Sequence, residues 1–309
     1  MQPQAIGFVG VGMMGWPMAR CLHAAGHALV VCDATPGLAE RFAAEIGGRA
    51  AASPAEVARQ CGVVILMLPD SRIVSRVLFD GPDPLSAGLA PGASVIDMTS
   101  GVPEMTIGFG ARLAEAGVRM IDAPVSGGVR RAETGKLTIM AGGAAEDVAR
   151  LRPVLEAMGA VEQIGDLGAG QAMKSLNNLV SAAGFLVGIE ALLIGRKFGL
   201  DPERMVDVLN GSTGMNNSTL NKFKQFVLSG RYDAGFGLGL MAKDLRIALG
   251  LAASTGTPAP LSAQCAELWA AAAATLGEGA DHTEIARMSE SFARVRLSEG
   301  AEQEPPADG

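Results

Sequence analysis

Short apolar runs rich in Val and Ile alternate with segments of helical composition in the first half of the chain. Strands are predicted at residues 5–10, 28–33, 63–68, 94–97, 118–122 and 137–141, with an Ala-rich helix at 13–25 between the first two. This alternation is typical of a mostly parallel sheet that is covered on both faces. The pattern therefore predicts an α/β fold for this half of the chain.

The pattern changes after about residue 165, where an apolar stretch without proline at 171–196 is followed only by segments of helical character. Residues 201–203 and 283–284 are typical of helix starts, whereas 256–258 and 277–279 contain helix breakers. The polar, acidic end of the chain has the composition of a disordered segment. We therefore predict a domain at 1–165, a long inter-domain helix at 166–197, an all-helical domain at 198–296 and a disordered tail at 297–309.

The apolar segment 178–195 approaches the length of a membrane span. Asn178, Ser181 and Glu190 interrupt it, and no cationic flank stands close on its N-terminal side. Lys174 is a single cation on that side and not a cationic flank. These features favour a buried helix that packs on its own domain or on a partner subunit.

The composition excludes several classes of function. The chain has 309 residues, enough for two domains. Its net charge of −7 and its scarce aromatic residues, with one Tyr and two Trp, argue against nucleic acid and an anionic membrane as partners. The N-terminal residues lack a secretory pattern, so the cytoplasm is the expected location. The four cysteines form no CxxC pair and the three histidines lack companions at metal-ligand spacing, which predicts reduced thiols and no metal site.

A glycine-rich turn joins the first predicted strand to the first predicted helix. In such a turn the first glycine allows a tight bend, the second lets a pyrophosphate approach the backbone, and the third lets helix and strand pack closely. The helix N-terminus then directs unpaired N–H groups at the phosphates. The motif, which predicts a dinucleotide cofactor, is Gly10-Val11-Gly12-Met13-Met14-Gly15.

Asp33 ends the second predicted strand, 18 residues after Gly15. A carboxylate at this position accepts hydrogen bonds from the adenosine ribose hydroxyls and repels a 2′-phosphate, which favours NAD over NADP. The alternative is a carboxylate that only caps the turn. Leu68, Pro69 and Thr99 follow later strands at the edge where open α/β sheets bind ligands, and we expect them to line the nicotinamide half of the site.

A second glycine turn follows the strand predicted at 118–122. Ser126 offers a hydroxyl, and the absence of side chains on Gly127 and Gly128 leaves backbone N–H groups open to a carboxylate. The alternative is an ordinary Ser-Gly-Gly turn.

Lys174 is the only lysine or arginine between Arg152 and Arg196, and an apolar run follows it. Lysine loses hydration energy in apolar surroundings, so its pKa falls and it can accept a proton near neutral pH. Asn178 lies four residues later and would share a helix face with it. The pair suits alcohol oxidation, with Lys174 taking the hydroxyl proton and Asn178 aligning the oxygen. The alternative is a lysine at a helix start that extends into solvent.

Four motifs in this order closely resemble those of the β-hydroxyacid dehydrogenase family, which includes 3-hydroxyisobutyrate, L-threonate and 6-phosphogluconate dehydrogenases and tartronate semialdehyde reductase. The resemblance extends to about Arg296. The motifs are the glycine turn with its preceding Phe8 and Val9, the segment 122–128, the segment 170–178 and Lys243-Asp244-Leu245.

The resemblance implies a Rossmann-type doubly wound domain, a long inter-domain helix and an all-α domain that dimerises, with tetramers common. It also implies that Lys174 is the catalytic lysine and Asn178 its partner. It implies further that Ser126, Gly127 and Gly128 hold the substrate carboxylate. Thr99 and Lys243 would lie against the cofactor.

Four features separate this chain from parts of the family. NADP-specific members often carry Asn-Arg at the end of the second strand, whereas this chain has Cys32-Asp33-Ala34, which supports NAD. Imine reductases share the architecture but usually replace the lysine, so Lys174 counts against that branch. Arg130 and Arg131 stand where many relatives have small residues; they contact a second anionic group or, as we favour, lie on the surface. Asn216, where relatives complete the substrate pocket, points to a hydroxylated acid.

The sequence therefore predicts an NAD-dependent dehydrogenase, active as a homodimer or homotetramer, that oxidises the 3-hydroxyl of a small carboxylate such as 3-hydroxyisobutyrate, L-threonate or glycerate. One alternative is an NADPH-dependent reductase of tartronate semialdehyde, glyoxylate or succinic semialdehyde. An alternative of another class is a nucleotide-binding sensor without turnover, against which the intact Lys174, Asn178 and Ser126 argue.

Overall fold

The computed structural model describes residues 5–298, and within them nine strands form one sheet. The strands are β1 (Ile6–Val9), β2 (Leu29–Cys32), β3 (Arg49–Ala50), β4 (Val63–Leu66), β5 (Ser94–Asp97), β6 (Arg119–Asp122), β7 (Val125–Ser126), β8 (Leu137–Gly142) and β9 (Gly159–Gly165). Their order is β3-β2-β1-β4-β5-β6-β8-β7, and β9 pairs with β8. The pairs from β3 to β6 are parallel, as is β8 with β9, whereas β8 runs antiparallel to β6 and β7. The predicted α/β class is confirmed.

The strand order reverses at β1, because β2 and β3 extend the sheet on one side and β4 to β6 extend it on the other. Ile6 accordingly pairs with Leu29 on one side and with Val63 on the other. Doubly wound sheets bind ligands at this reversal, outside the carboxyl ends of the strands. The glycine turn leaves β1 at this point.

Helices cover both faces of the sheet, as the strand pattern predicted. Residues of the central strands alternate between two buried clusters: Phe8 and Ile65 pack with Met18, whereas Leu66 packs with Val57 on the opposite face. A π-helical segment spans Arg76–Asp80 and a 3-10 segment spans Leu85–Ala87. The α-helices of this part are α1 (Gly15–Ala24), α2 (Leu38–Glu45), α3 (Pro54–Gln60), α4 (Ser71–Ser75), α5 (Pro103–Ala114), α6 (Gly128–Glu133) and α7 (Ala145–Glu156).

A 30-residue helix, α8 (Ala169–Phe198), follows the sheet. The chain divides into two compact units inside this helix, after Ser175. By length and composition α8 could cross a membrane, since an 18-residue window has a mean hydropathy of 1.8, but half of that window is buried inside the protein. Phe185, Ile189 and Leu192 are among its buried side chains. The core helix of a soluble protein satisfies the same criteria.

The unit that follows is helical, and between residues 176 and 298 its β-structure is limited to an isolated bridge of Gly237 with Asp281. Its core surrounds the fully buried rings of Phe185, Phe223 and Trp269. A π-helical segment spans Phe223–Leu228 and a 3-10 segment spans His282–Glu284. The helices are α9 (Pro202–Asn210), α10 (Asn217–Asn221), α11 (Leu238–Ser254), α12 (Pro260–Leu276) and α13 (Ile285–Ala293).

The tail predicted at 297–309 lies outside the described residues, except for its first two positions. Leu297 is buried, with 1% of its surface exposed. Its N–H donates to Glu290 Oε1 at 2.8 Å.

Candidate active site

The glycine turn between β1 and α1 has the geometry of a phosphate-binding turn. Gly10 has a φ of +97°, and a Cβ there would lie 2.2 Å from the Met67 carbonyl oxygen. A Cβ on Gly15 would lie 1.8 Å from the Gly10 carbonyl oxygen, so helix and turn are in close contact. A Cβ on Gly12 would have no neighbouring atom within 4 Å. The first and third glycines are therefore needed for packing, and the second leaves the backbone open to a ligand, which fits a dinucleotide.

Asp33 connects the end of β2 to this turn. Its Oδ2 accepts a hydrogen bond from the Val11 N–H at 2.8 Å, and its Oδ1 accepts one from the Thr35 N–H at 2.8 Å. The carboxylate thus holds the glycine turn in place. The bond from Thr35 is the turn cap that was considered as the alternative for Asp33. The bond from Val11, 22 residues away, was not predicted. The contact with a ribose stays a prediction.

The strand ends predicted to face the nicotinamide lie next to one another. Thr99 is fully buried, and its Oγ1 accepts a hydrogen bond from the Leu68 N–H at 3.1 Å. Leu68 also lies beside Gly10, with its Cδ2 3.1 Å from the position of a Cβ there. Pro69 follows at an exposed position. Gly10, Leu68 and Thr99 therefore form one edge of the sheet at the strand-order reversal.

Asp122, at the end of β6, anchors the first turn of α8. Its Oδ1 accepts from the Gly168 N–H and its Oδ2 from the Gln171 N–H, both at 2.7 Å. These bonds satisfy N–H groups that a helix start leaves without partners, and the carboxylate complements the positive end of the helix dipole. Because the side chain is fully buried, its pKa is raised to about 6. The segment 122–128 is one of the motifs that resemble the family, but no role was predicted for Asp122 itself.

Gln171 makes a second connection between α8 and the sheet. Its Oε1 accepts from the Gly101 N–H at 2.8 Å, and its Nε2 donates to the Thr99 carbonyl oxygen at 2.7 Å. The side chain is 1% exposed. The first turn of α8 is therefore fixed to two strand ends, β5 through Gln171 and β6 through Asp122.

The second glycine turn follows β7. Gly127 has a φ of +134° and Gly128 a φ of +66°, a region that favours glycine. Ser126 is half-buried, and Gly127 is exposed apart from the Arg131 side chain, whose Cδ would lie 2.6 Å from a Cβ on Gly127. Arg130 and Arg131 are both exposed, which agrees with their expected surface position.

Lys174 and Asn178 are both on α8, one turn apart. Lys174 is 8% exposed and Asn178 is 6% exposed. A lysine this well buried does not extend into solvent, which was the alternative considered for Lys174. It lies three residues after Gln171, whose N–H donates to Asp122 and whose side chain bonds to the Thr99 carbonyl oxygen. The backbone that carries Lys174 is therefore held in place.

Asp244, on α11, fixes the orientation of Asn178. Its Oδ2 accepts from Asn178 Nδ2 at 2.6 Å, and its Oδ1 lies 3.4 Å from the Nζ of Lys243. Asp244 is 1% exposed. A buried carboxylate that accepts from an amide N–H determines which end of the amide faces away from it. Asp244 belongs to the Lys243-Asp244-Leu245 motif, but no function was predicted for it from the sequence.

Asn216 has a structural role that the sequence did not predict. Its Oδ1 accepts from the N–H groups of Ser218 at 2.7 Å and Thr219 at 3.2 Å, and Thr219 Oγ1 in turn accepts from the Asn216 N–H. This reciprocal pair is a capping box at the start of α10. The suggestion of a hydroxylated substrate from this residue therefore loses part of its basis.

Neither a disulfide nor a metal-binding cluster occurs within residues 5–298. All four cysteines are free, and burial raises the pKa values of the Cys32 and Cys61 thiols to about 11, so they remain protonated at neutral pH. Within the same residues no group of three His, Cys, Asp or Glu side chains is placed to hold a metal ion.

Comparison with known proteins covers both units of the chain. The family model described as the NAD binding domain of 6-phosphogluconate dehydrogenase matches residues 5–168. The model described as NAD-binding of NADP-dependent 3-hydroxyisobutyrate dehydrogenase matches residues 168–289.

Two curated relatives match over most of their length. The chain is 33% identical to 2-(hydroxymethyl)glutarate dehydrogenase of Eubacterium barkeri, over 96% of this chain and 98% of that protein. It is 35% identical to L-threonate dehydrogenase of Cupriavidus necator, over 89% of this chain and 92% of that protein.

Solved structures show the same architecture. The 3-hydroxyisobutyrate dehydrogenase of Mycobacterium tuberculosis with L-serine has a TM-score of 0.84 and 33% identity, over 93% of this chain and 99% of that one. Psf3 in complex with NADP+ and 2-OPP has a TM-score of 0.81 and 27% identity, over 92% of this chain and 100% of that one. The glycine turn, the α/β sheet and these matches lead to the same conclusion: the chain is an NAD(P)-dependent dehydrogenase of CH–OH groups and belongs to the β-hydroxyacid dehydrogenase family.

Proposed function

We propose that the protein oxidises the 3-hydroxyl of a small hydroxycarboxylate, with NAD as cofactor and Lys174 as the acid–base group. The observation that carries this proposal is the placement of Lys174. It is buried on α8, whose first turn is fixed by Asp122 and Gln171 to the ligand-binding edge of the sheet. Proton transfer requires a group that is held in a fixed position, and this arrangement meets that requirement.

Lys174 transfers the proton of the substrate hydroxyl. In the oxidation its neutral amine accepts this proton while the C–H bond of the same carbon breaks, and in the reverse direction the ammonium returns the proton. The nicotinamide cofactor, when bound, accepts the hydride from that carbon. The proton and the hydride together account for the two hydrogens that an alcohol loses when it becomes a carbonyl.

Asn178 orients the reacting oxygen. The hydrogen bond from its Nδ2 to Asp244 Oδ2 keeps the amide in one orientation. A substrate oxygen that binds to this amide is then aligned with Lys174, one turn earlier on the same helix.

Asp33 supports NAD over NADP. Its carboxylate is fixed by the N–H groups of Val11 and Thr35, so a 2′-phosphate beside it would meet a negative charge that is not free to rotate away. The Psf3 complex shows that a similar fold holds NADP+. We therefore assign discrimination between NAD and NADP to local residues such as Asp33.

Ser126, Gly127 and Gly128 support binding of a carboxylate, since a hydroxyl and backbone N–H groups can both donate to it. The relatives are named for 2-(hydroxymethyl)glutarate, L-threonate and 3-hydroxyisobutyrate, and each of these acids carries a carboxylate and a hydroxyl. We place the substrate in this class of small hydroxycarboxylates.

The test is a panel of 3-hydroxy acids, with lactate as a 2-hydroxy control, assayed with NAD and with NADP by the absorbance of the reduced nicotinamide. Melting shifts caused by each cofactor are measured on the same preparations. We expect turnover of at least one 3-hydroxy acid, faster with NAD than with NADP at equal low concentrations. Cofactor binding without turnover across the panel would establish a sensor. Faster reduction of semialdehydes with NADPH than any oxidation with NAD would establish a reductase.

A further inference from the structure

A second lysine lies near Asn178 in the helical unit. Lys222 directly follows α10, and its Nζ is 3.4 Å from Ser181 Oγ and 5.4 Å from the ring centroid of Phe185. Ser181 is three residues after Asn178 in α8, so the two side chains share a face of the helix and lie about 4.5 Å apart along its axis. Lys222 therefore adjoins the position where the reacting oxygen is proposed to bind.

The positive charge of Lys222 is not neutralised locally. Within residues 5–298 no carboxylate forms an ion pair with it; its polar contact is the Ser181 hydroxyl. Asp281 attracts it electrostatically, but the Asp281 carboxylate already accepts from the N–H groups of Gly235, at 2.7 Å, and Thr283, at 2.9 Å. Burial lowers the pKa of Lys222 to about 8 in spite of this attraction.

Lys222 is half-buried, and an ammonium partly removed from water is destabilising when no anionic partner lies nearby. Part of the cost is offset by the contact with the Phe185 ring, which is a cation–π interaction. An ammonium and a hydroxyl at hydrogen-bond distance are also a suitable pair of donors for a carboxylate. A ligand that supplies a negative charge would complete this arrangement.

A neutral donor lies on the next turn of the same helix face. A Cβ on Gly184 would be 3.5 Å from Asn216 Nδ2. Since Asn216 uses its Oδ1 for the capping box, its Nδ2 is the atom directed at α8. Ser181 of α8, together with Lys222 and Asn216, thus places donor groups along one to two turns of this helix.

We propose that Lys222 and Ser181 bind a second anionic group of the substrate, so that the preferred substrate is a hydroxy acid with two carboxylates. The inference rests on the proposed function for the location of the reacting hydroxyl, beside Asn178. It assigns the second carboxylate to a subsite within the helical unit, one turn farther along α8.

Binding without turnover tests the subsite directly. The probes are glutarate, with two carboxylates, and butyrate, with one, added at equal concentrations to the full chain with NAD present. We expect glutarate to raise the melting temperature of the wild type more than butyrate does. This difference should disappear in Lys222→Met and persist in Lys222→Arg. Lys224→Met is the matched control, because Lys224 pairs with Asp207 at the surface and should behave as the wild type.

Kinetics provide the second measurement, with 2-(hydroxymethyl)glutarate and 3-hydroxyisobutyrate as substrates. Lys222→Met should lower kcat/KM for the dicarboxylate about 10- to 100-fold more than for the monocarboxylate, mainly through KM, because it removes a charged hydrogen bond. Ser181→Ala should act in the same direction with a smaller effect. An equal loss for both acids would assign Lys222 a purely structural role and overturn the inference.

The two proposals fail in different ways. If no acid is oxidised but glutarate still stabilises the wild type and not Lys222→Met, the dehydrogenase assignment fails and the anionic subsite stands. If glutarate and butyrate stabilise the wild type equally, the subsite is wrong, whatever the panel of substrates shows.

Discussion

At the scale of single residues, Asp33 combines a structural contact with a proposed role in cofactor choice. Its oxygens accept from the N–H groups of Val11 and Thr35, so it fixes the glycine turn, and it carries the negative charge that we propose faces the adenosine ribose. A charged hydrogen bond of this kind contributes about 1.5–3 kcal/mol.

Asp33→Ala should therefore lower kcat/KM for NAD and reduce the preference for NAD over NADP by about tenfold or more. The measurement is the ratio of kcat/KM for the two cofactors. Glu40→Ala is the control, since Glu40 is an exposed acid on α2 and its loss should leave the ratio unchanged. An unchanged ratio in Asp33→Ala would remove the basis for predicting NAD.

The sequence suffices to propose Lys174, Asn178 and Asp33 as site residues, because short motifs and helical spacing are local properties. The residues that hold them could not be predicted in this way. Asp122 bonds to groups 46 and 49 residues away, Gln171 to one 72 residues away, and Asn178 to Asp244 across 66 residues. Such contacts exist only once the chain has folded, and their residue types alone give no indication of a partner.

At the scale of elements, the glycine turn separates a packing function from a ligand function. Gly15→Ala places a Cβ 1.8 Å from the Gly10 carbonyl oxygen, whereas Gly12→Ala places one in open space. Gly15→Ala should lower the free energy of unfolding by about 1–3 kcal/mol through overpacking. Gly12→Ala should leave it nearly unchanged but weaken NAD binding about tenfold or more, because the Cβ occupies the path of the pyrophosphate. Urea denaturation and calorimetric titration with NAD measure the two effects; equal loss of stability in both variants would contradict the assignment.

The connection of α8 to β6 predicts a pH dependence of stability. Burial raises the pKa of Asp122 from 3.8 to about 6, so the folded chain binds more protons than the unfolded chain between these values. The contribution of Asp122 to stability is therefore fully present below about pH 4 and is lost as the pH rises to about 6, a change of about 3 kcal/mol.

Asp122→Asn removes this titration. The free energy of unfolding of the wild type relative to Asp122→Asn should decrease from pH 4 to pH 6 and then stay constant. The kcat value should also fall in the variant, since the NH2 group that replaces one of the two carboxylate oxygens cannot accept from Gly168 or Gln171. Asp166→Asn, at an exposed position before α8, is the control. A stability difference that is independent of pH would show that Asp122 is not protonated in this range.

At the scale of the whole molecule, the sheet could be predicted where its strands are apolar. The runs that form β1, β2, β4, β5, β6 and β8 contain buried apolar side chains, and all six were predicted. The strands that the sequence missed lack this signal: β3 and β7 have two residues each, and β9 is mostly exposed, with Val161 as its one buried large apolar residue. Pairing to an existing strand stabilises such segments, and the sequence pattern does not reveal that partner.

We expect the molecule to be a homodimer or homotetramer. Val180, Val187, Ile194 and Phe198 form a stripe along α8 and are 74%, 60%, 71% and 83% exposed. An apolar stripe of this length is typical of an association surface. The double variant Val187→Asp and Ile194→Asp should shift the mass measured by light scattering to that of one chain, whereas Leu261→Asp, at another exposed apolar position, should not. A wild type that is itself monomeric would refute the expectation.

The central claim is that Lys174 transfers the proton, and Lys174→Ala tests it most directly. The variant and a control, Lys197→Ala at an exposed position near the end of α8, are compared in kcat and in the Kd for NAD. We predict that Lys174→Ala lowers kcat about 10²- to 10⁴-fold while the Kd for NAD changes less than about threefold, because a positioned acid–base group contributes this much to the rate. Lys197→Ala should change neither quantity. Retention of activity within about tenfold in Lys174→Ala would contradict the account.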